Sequence, residues 1–478
     1  MVGERRLFHG CGMRSRGWIS IVSNGRLGKH HGTFTGPRWV WSLVVFLCLI
    51  AALIRPAIAQ GIPLIRDTEI ELLLNDYAQP IFKAAGLGTG RVSVRIVRND
   101  AFNAFVMDGR SVYVHTGMLM QSDTPNQVIG VIAHEAGHIS GGHIASMQAR
   151  LAREQTRMIL LRVLGIGAAI ATGRGEAIVA ADEVIVRSFL AERRSQESAA
   201  DQAGLQFLNA TKQSGRGMLE TFERFAQQEY VSDTYKDPFV RSHPIAVERL
   251  RQLRDGVSKS AFSAQKDTAE LQLRHDLMRA KLAGYLNTPQ NVNNRYPPAD
   301  VSVPARYARA IAKFFRGGPG ALEGAIADID GLIKERPTYP FFHELKGDLL
   351  MRSGRTKEAI TPLRQALKLA GVANLIEVQL ATALLATNEP GVLDEATTLL
   401  RRSLVSDQNP RGFRALADAY YRNGKASEAD AAMSQATMLE GDIKQAQIFA
   451  KRAQRGLTPN SPLWITMDDI INSKPRRE

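Results

Sequence analysis

The sequence predicts two units: a mainly helical α+β domain with a small antiparallel sheet over residues 60–285, and an all-α solenoid of tetratricopeptide repeats over 305–478. Three observations carry that expectation. Short alternating apolar runs flank Asp108-Gly109 amid segments of helical period. A repeat near 34 residues runs through the second half. Between them residues 286–304, rich in Asn and Pro, read as a linker. At 478 residues the chain exceeds one ordinary domain, and with 44% hydrophobic and 23% charged residues it is globular in composition.

Residues 1–59 stand apart from the fold. Arg5, Arg6, Arg14, Arg16, Arg26, Lys29 and Arg38 face a single acid, Glu4, and an apolar run from Trp39 to Ile54 follows. Ala57-Ile58-Ala59 completes the pattern of a secretory signal peptide with a long basic n-region, cleaved after Ala59. The rival is an uncleaved anchor, for which this run is shorter than the ~20 residues a bilayer span needs. Removing the segment takes eight of 61 basic and one of 47 acidic residues, so the net charge falls from +14 to +7. No basic stripe with interleaved aromatics remains, which argues against nucleic acid as a partner. Cys11 and Cys48, the two cysteines, both lie in this segment. A mature chain without thiols excludes a cysteine nucleophile and suits an oxidising periplasm.

Within the first unit, Ile70, Leu73, Leu74, Tyr77 and Ile81 recur at helical spacing over residues 68–85, and Thr68 with Glu71 has the spacing of a capping box. Val92–Val97 alternates as a strand, and the runs 103–107 and 111–115 around Asp108-Gly109 read as a hairpin. A long helical pattern covers about 124–171, opened by Pro125 and broken at Thr172–Gly175. Further helices are expected over about 176–208, 218–228 and 246–254, with a loop at 232–244. Met158–Ala171 and Ala177–Ala180 are more apolar than a surface helix requires. They read as core packing, or alternatively as a flap or peripheral membrane contact over a cleft.

In the second unit Gly320, Gly354, Gly391 and Gly424 lie 34, 37 and 33 residues apart. Ala325, Ala359, Ala396 and Ala429 follow each by five, and Ile329, Leu363, Leu400 and Met433 follow four residues later. Small residues where paired helices cross permit close packing, and stacked pairs build a surface for a partner.

The chemistry concentrates in three motifs. His134-Glu135-Ala136-Gly137-His138 puts two imidazoles on one helix face at i and i+4, within reach of one Zn2+, with Glu135 beside it to take a proton from water. A catalytic zinc needs a third protein ligand. His143 is one residue short of the position an extended HExxHxxGxxH requires, and on a continuous helix it faces about 100° away, so it reads as a polar helix-face residue or a support behind a ligand. The better candidate is Glu197 in Glu197-Ser-Ala-Ala-Asp201, where small spacers let the helices meet. Asp201 is then placed to fix the tautomer of a ligand histidine. In Ser242-His243-Pro244, His243 either enters the cleft as a catalytic or gating group or only caps a turn. Arg249 either holds a carboxylate or lies on a solvated face.

HEAGH at 134–138, ESAAD at 197–201, SHP at 242–244 and the strand pair around 103–105 and 112–114 resemble the CAAX-prenyl-protease-like (HtpX/Oma-type) zinc metallopeptidases. That resemblance implies a zincin-like domain with one Zn2+ held by His134, His138 and Glu197, Glu135 as base and His243 as a regulatory or catalytic group. With export ahead and repeats behind, it further implies misassembled outer-membrane proteins as clients and a link to the barrel-assembly machinery through the repeats. The rivals are a repeat-bearing chaperone or scaffold on a silent peptidase fold, and a membrane-anchored protease.

Overall fold

The computed structural model describes residues 62–88, 90–150, 152–153, 176–226, 237–244, 246–389 and 391–474, with the backbone alone over 176–189. The signal-peptide segment, the apolar run 158–171 and the break at 172–175 lie outside the described residues.

Strand β1 (Leu64–Ile65) leads into helix α1 (Thr68–Ala84). The helix is capped one residue earlier than expected. Asp67 accepts from Ile70 N and Glu71 reaches back to Asp67 N, so the carboxylate pair satisfies the free donors that Thr68 and Glu71 were expected to cover. Pro80 does not end the helix. Strands β2 (Ser93–Val97), β3 (Ala104–Val106) and β4 (Ser111–His115) complete a sheet of order β1-β2-β4-β3. The hairpin β3–β4 is antiparallel, turning at Gly109 with φ +68°, and β1–β2 is antiparallel too. The sheet is nonetheless mixed, because β4 inserts beside β2 and runs parallel to it, leaving β3 at the edge.

Helices α2 (Thr116–Gln121), α3 (Pro125–Ser140), α4 (Glu176–Ala210), α5 (Arg216–Phe225), α6 (Pro238–Ser242) and α7 (Val247–Lys259) follow. The pattern expected to run unbroken from 124 stops at Ser140. Gly141 caps the end, Gly142 adopts φ +64°, and a new helical stretch begins at 143. Apolar periodicity alone does not register such a break. Inside the expected loop 232–244, α6 forms because Asp237 caps Phe239 N and Pro238 suits a first turn.

Helix α8 (Ala269–Leu286) joins the two halves. Met278 and Leu282 pack in the core beneath the sheet, while Leu277 and Ala280 pack in the first repeat core. The expected linker 286–304 contains helix α9 (Pro289–Arg295), capped by Thr288 and pinned by the buried Val292, so it is packed structure rather than a tether. Residues 62–478 accordingly form one compact unit.

Five helical hairpins follow: α10 (Val303–Arg316) with α11 (Ala321–Glu335), α12 (Pro340–Arg352) with α13 (Thr356–Ala370), α14 (Asn374–Thr387) with α15 (Val392–Ser406), α16 (Pro410–Arg422) with α17 (Ala426–Leu439), and α18 (Ile443–Gln454) with α19 (Pro462–Asn472). The four periodic glycines all sit at the turn inside a hairpin with φ between +71° and +83°, where a side chain is strained. The periodic alanines are buried on the second helix of each pair. No described helix is long and apolar enough to cross a membrane.

Candidate metal centre

Helix α3 is buried along its whole catalytic half, and His134, Glu135 and His138 are all buried. Helix α4 crosses it at a point where neither presents a side chain. A Cβ on Gly137 would lie 2.7 Å from Ala200 O, and one on Gly204 would lie 3.1 Å from Ala133 C. This close approach brings Glu197 onto the histidines: Oε2 lies 3.4 Å from His134 Nε2 and Oε1 lies 3.5 Å from His138 Nε2. The two Nε2 atoms are 3.1 Å apart. His243 comes from the end of α6, where its N–H donates to Phe239 O and its ring packs on the Phe239 ring. Its Nδ1 lies 3.2 Å from His134 Nε2 and 3.3 Å from Glu197 Oε2.

Four ligand-type atoms, from His134, His138, Glu197 and His243, thus lie within 4.8 Å of one another, and all four residues are buried. A tetrahedral ion with bonds of 2.0–2.1 Å separates its ligand atoms by about 3.4 Å. The contacts here, 3.1–3.5 Å, match that spacing. Three inward-facing ring nitrogens and a carboxylate with no room between them for another residue form a cage suited to a cation.

The residues behind the cage orient it. Asp201 Oδ1 lies 2.9 Å from His134 Nδ1, an ion-pair contact rather than an aligned hydrogen bond. Arg249 forks on Asp201 through Nε and Nη2 at 2.7 and 2.8 Å, and its Nη1 lies 3.1 Å from Glu197 Oε2 and donates to Pro244 O. Arg249 is therefore buried in the site and not on a solvated face. His143, excluded as a ligand, does sit behind one: its Nδ1 is 3.0 Å from His138 Nδ1, brought there by the break at Gly141-Gly142. Glu135 Oε1 is buried without a hydrogen bond, 3.3 Å from His243 Nε2.

Charges follow the geometry. Burial alone lowers the His134 imidazolium, but Asp201 and Glu197 outweigh it and raise the group to about 10. Burial pushes the Glu197 carboxyl up, and His243 and His134 hold it well below its usual range. Burial raises Asp201 while His134 and Arg249 bring it below normal. His138 is depressed by burial and by His134. Glu135 is raised by burial against the pull of His243 and His134.

Some participants carry no sequence signal. Arg193 donates to the carbonyls of Arg241 and Ser242 at 2.6 and 2.5 Å, tying the His243 segment to α4. An arginine on a helix face looks the same in sequence whether solvated or bridging. The carbonyl of Ala104, on edge strand β3, lies 3.2 Å from His243 Nε2, a contact only the fold creates.

Residues 66–257, which hold every residue named in the cage, match peptidase family M48. The chain carries a peptidase family M48 domain. The expected family likeness is met, and the domain is a metallopeptidase with a complete donor set, which argues against a silent scaffold. Over 406 residues the chain is 24% identical to the beta-barrel assembly-enhancing protease of Yersinia pestis, covering 80% of this chain and 79% of that one. The protein of the same name from Escherichia coli (strain K12) is 22% identical over 398 residues, covering 80% and 78%. The metalloprotease LoiP of Escherichia coli (strain K12) is 29% identical over 168 residues, covering 35% of this chain and 63% of that one. The first two likenesses extend beyond the peptidase domain, since 80% coverage cannot be met without the repeats.

Proposed function

We propose that this chain is an exported zinc metalloendopeptidase that cleaves misassembled outer-membrane β-barrel proteins in the periplasm, its repeats binding clients or the assembly machinery. The observation that carries the reading is the cage itself: His134, His138 and Glu197 converge from two helices with Glu135 buried beside them. His134, His138 and Glu197 are the ligands, and Asp201 and Arg249 hold them in place. When bound, zinc polarises the scissile carbonyl and acidifies water. Glu135 takes the proton from the attacking water and hands it to the leaving amine.

Strand β3 is the sheet edge nearest the cage, and an extended client segment pairs there as an added strand. Unassembled barrel strands are extended and expose their own edges, which suits that groove. His243 holds both places at once, its Nδ1 among the ligand atoms and its Nε2 on Ala104 O. It acts as a gate that must withdraw before water and substrate enter. The support for these clients lies in the names of the relatives and in the signal-peptide pattern of residues 1–59.

The test is Glu135→Gln in the mature chain. It should bind one zinc per chain and fail to cleave casein or an unfolded barrel protein. Cleavage at the parental rate by this variant removes Glu135 from its role, and no bound zinc in the parent removes the metal assignment.

A further inference from the structure

Helix α10 presents Arg306, Arg309, Lys313 and Arg316 at spacings of three, four and three residues, so all four share one helical face. They line a cavity of about 450 Å³ between α10, α11 and the segment carrying α9. Two of the four have acid partners: Arg306 meets Glu335 at 2.6 Å, and Lys313 pairs with Asp328. Arg309 donates to the carbonyls of Tyr296 and Pro297, at 3.2 and 2.8 Å, and the Asp300 carboxylate feels its charge without a direct ion pair. Arg316 is exposed and forms no ion pair among the described residues.

The facing helix keeps the cavity open. Gly324, Ala327 and Gly331 form a row of small residues along α11. A glycine inside a helix costs about 1 kcal/mol relative to alanine. Packing does not require it at 331, where a Cβ would meet only Arg306 Nη2 at 3.8 Å, an ordinary contact. At 324 a Cβ would crowd Lys313 Cδ at 3.1 Å. The row therefore leaves a trough beneath the cationic groups at the expense of helix propensity.

We propose that this trough, on the first repeat and apart from the metal centre, binds a compact ligand with clustered phosphate oxygens. Guanidinium forks match phosphate geometry, and three of the four cations are arginines. An acidic peptide fits less well. Peptide ligands are held by large apolar anchors and backbone pairing. The trough offers no large apolar side chain: beside the four cations and Asp328, the acid paired with Lys313, its lining is prolines, small residues and the amide of Asn293. The phosphate is carried either by a free ester or by an anionic phospholipid headgroup.

The experiment titrates pyrophosphate into the full mature chain in phosphate-free buffer at an ionic strength of ~0.15 M, followed by calorimetry. Saturable one-site binding is expected, weakened about tenfold or more by Arg316→Glu and by Gly331→Leu. Glu135→Gln should bind as the parent does, so failure here and failure of the peptidase reading are separable. Arg316 is exposed, so its variant tests the site even where Gly331→Leu fails to fold. Sedimentation with phosphatidylglycerol-containing vesicles, dependent on Arg316 and competed by pyrophosphate, assigns a lipid headgroup; pyrophosphate binding without sedimentation assigns a soluble ester. The proposal is overturned if pyrophosphate does not saturate, if both folded variants bind as well as the parent, or if hexaglutamate binds more tightly than pyrophosphate.

Discussion

Gly137 sits between the two histidines of the HExxH helix, and adding one methyl group there should disable the centre without unfolding the protein. In Gly137→Ala the new Cβ would fall 2.7 Å from Ala200 O and 2.9 Å from Ala200 Cα, both backbone atoms of α4. Ordinary contact begins at 3.4 Å, so the helices must part by about 0.7 Å. Ala200 is one helical turn from Glu197 and adjacent to Asp201, so both carboxylates move with it. Metal sites tolerate about 0.5 Å of misplacement, which puts this displacement beyond the limit. Overpacking costs about 1–3 kcal/mol, partly offset by about 1 kcal/mol of improved helix propensity, so the fold survives. The assay is zinc affinity by chelator competition beside peptidase activity, with circular dichroism as the control for folding. Gly331→Ala supplies the contrast, since that helical glycine has room for the methyl group and should only stabilise. Parental zinc affinity and activity in Gly137→Ala would show that the α3–α4 contact does not set the ligand geometry.

Two further outcomes test the surroundings of the site. Asp201→Asn removes the charge behind His134 and the partner of Arg249, and zinc affinity should fall about 10–100-fold in chelator competition; unchanged affinity would reduce Asp201 to a structural role. Burial, reinforced by Asp67 and Glu69 and opposed by Lys281, pushes the Glu344 carboxyl up from 4.5 to about 8. Its proton is retained in the fold but lost on unfolding between those values, so this group's stabilisation is complete below about pH 4.5 and is lost as pH rises to about 8. Thermal melts of Glu344→Gln should therefore match the parent near pH 4.5 and exceed it at pH 8, and parallel profiles would refute the assignment.

What could be read in the sequence was whatever local spacing determines. His134 and His138 declare themselves at i and i+4, and the repeat glycines declare the hairpin turns because only a positive φ closes them. Glu197 lies on another helix, yet the small residues around it announced a close crossing, and Ala200 against Gly137 is that crossing. Arg249 was ambiguous because its burial depends on α4, not on its own helix. His143 was set aside for its angle on a continuous helix, whereas the chain turns at Gly141-Gly142 and delivers it behind His138. Helix α8 had no legible stripe for a related reason: it is apolar toward two cores, which blurs the single-face pattern that periodicity detects.

The junction between the two halves bears on how a repeat domain serves the peptidase. Lys281 on α8 is buried 2.8 Å from Asp67, 3.2 Å from Glu69 and 3.3 Å from Glu344. Tyr307 and Tyr339 donate to the two oxygens of Glu69 at 2.9 and 2.6 Å, and Arg66 bridges Glu71 and Asp407. All of these bonds except Lys281–Glu344 end on the first turn of α1 or the residues before it, next to strand β1. Leaving the Lys281 ammonium or the Glu69 carboxylate unpaired in such a buried network typically costs about 3–5 kcal/mol, so the junction resists hinging. The repeats are thereby held in fixed register with the sheet whose far edge, β3, faces the metal centre. The separation between the repeats and that edge is therefore set by the fold, because the two halves do not swing toward each other.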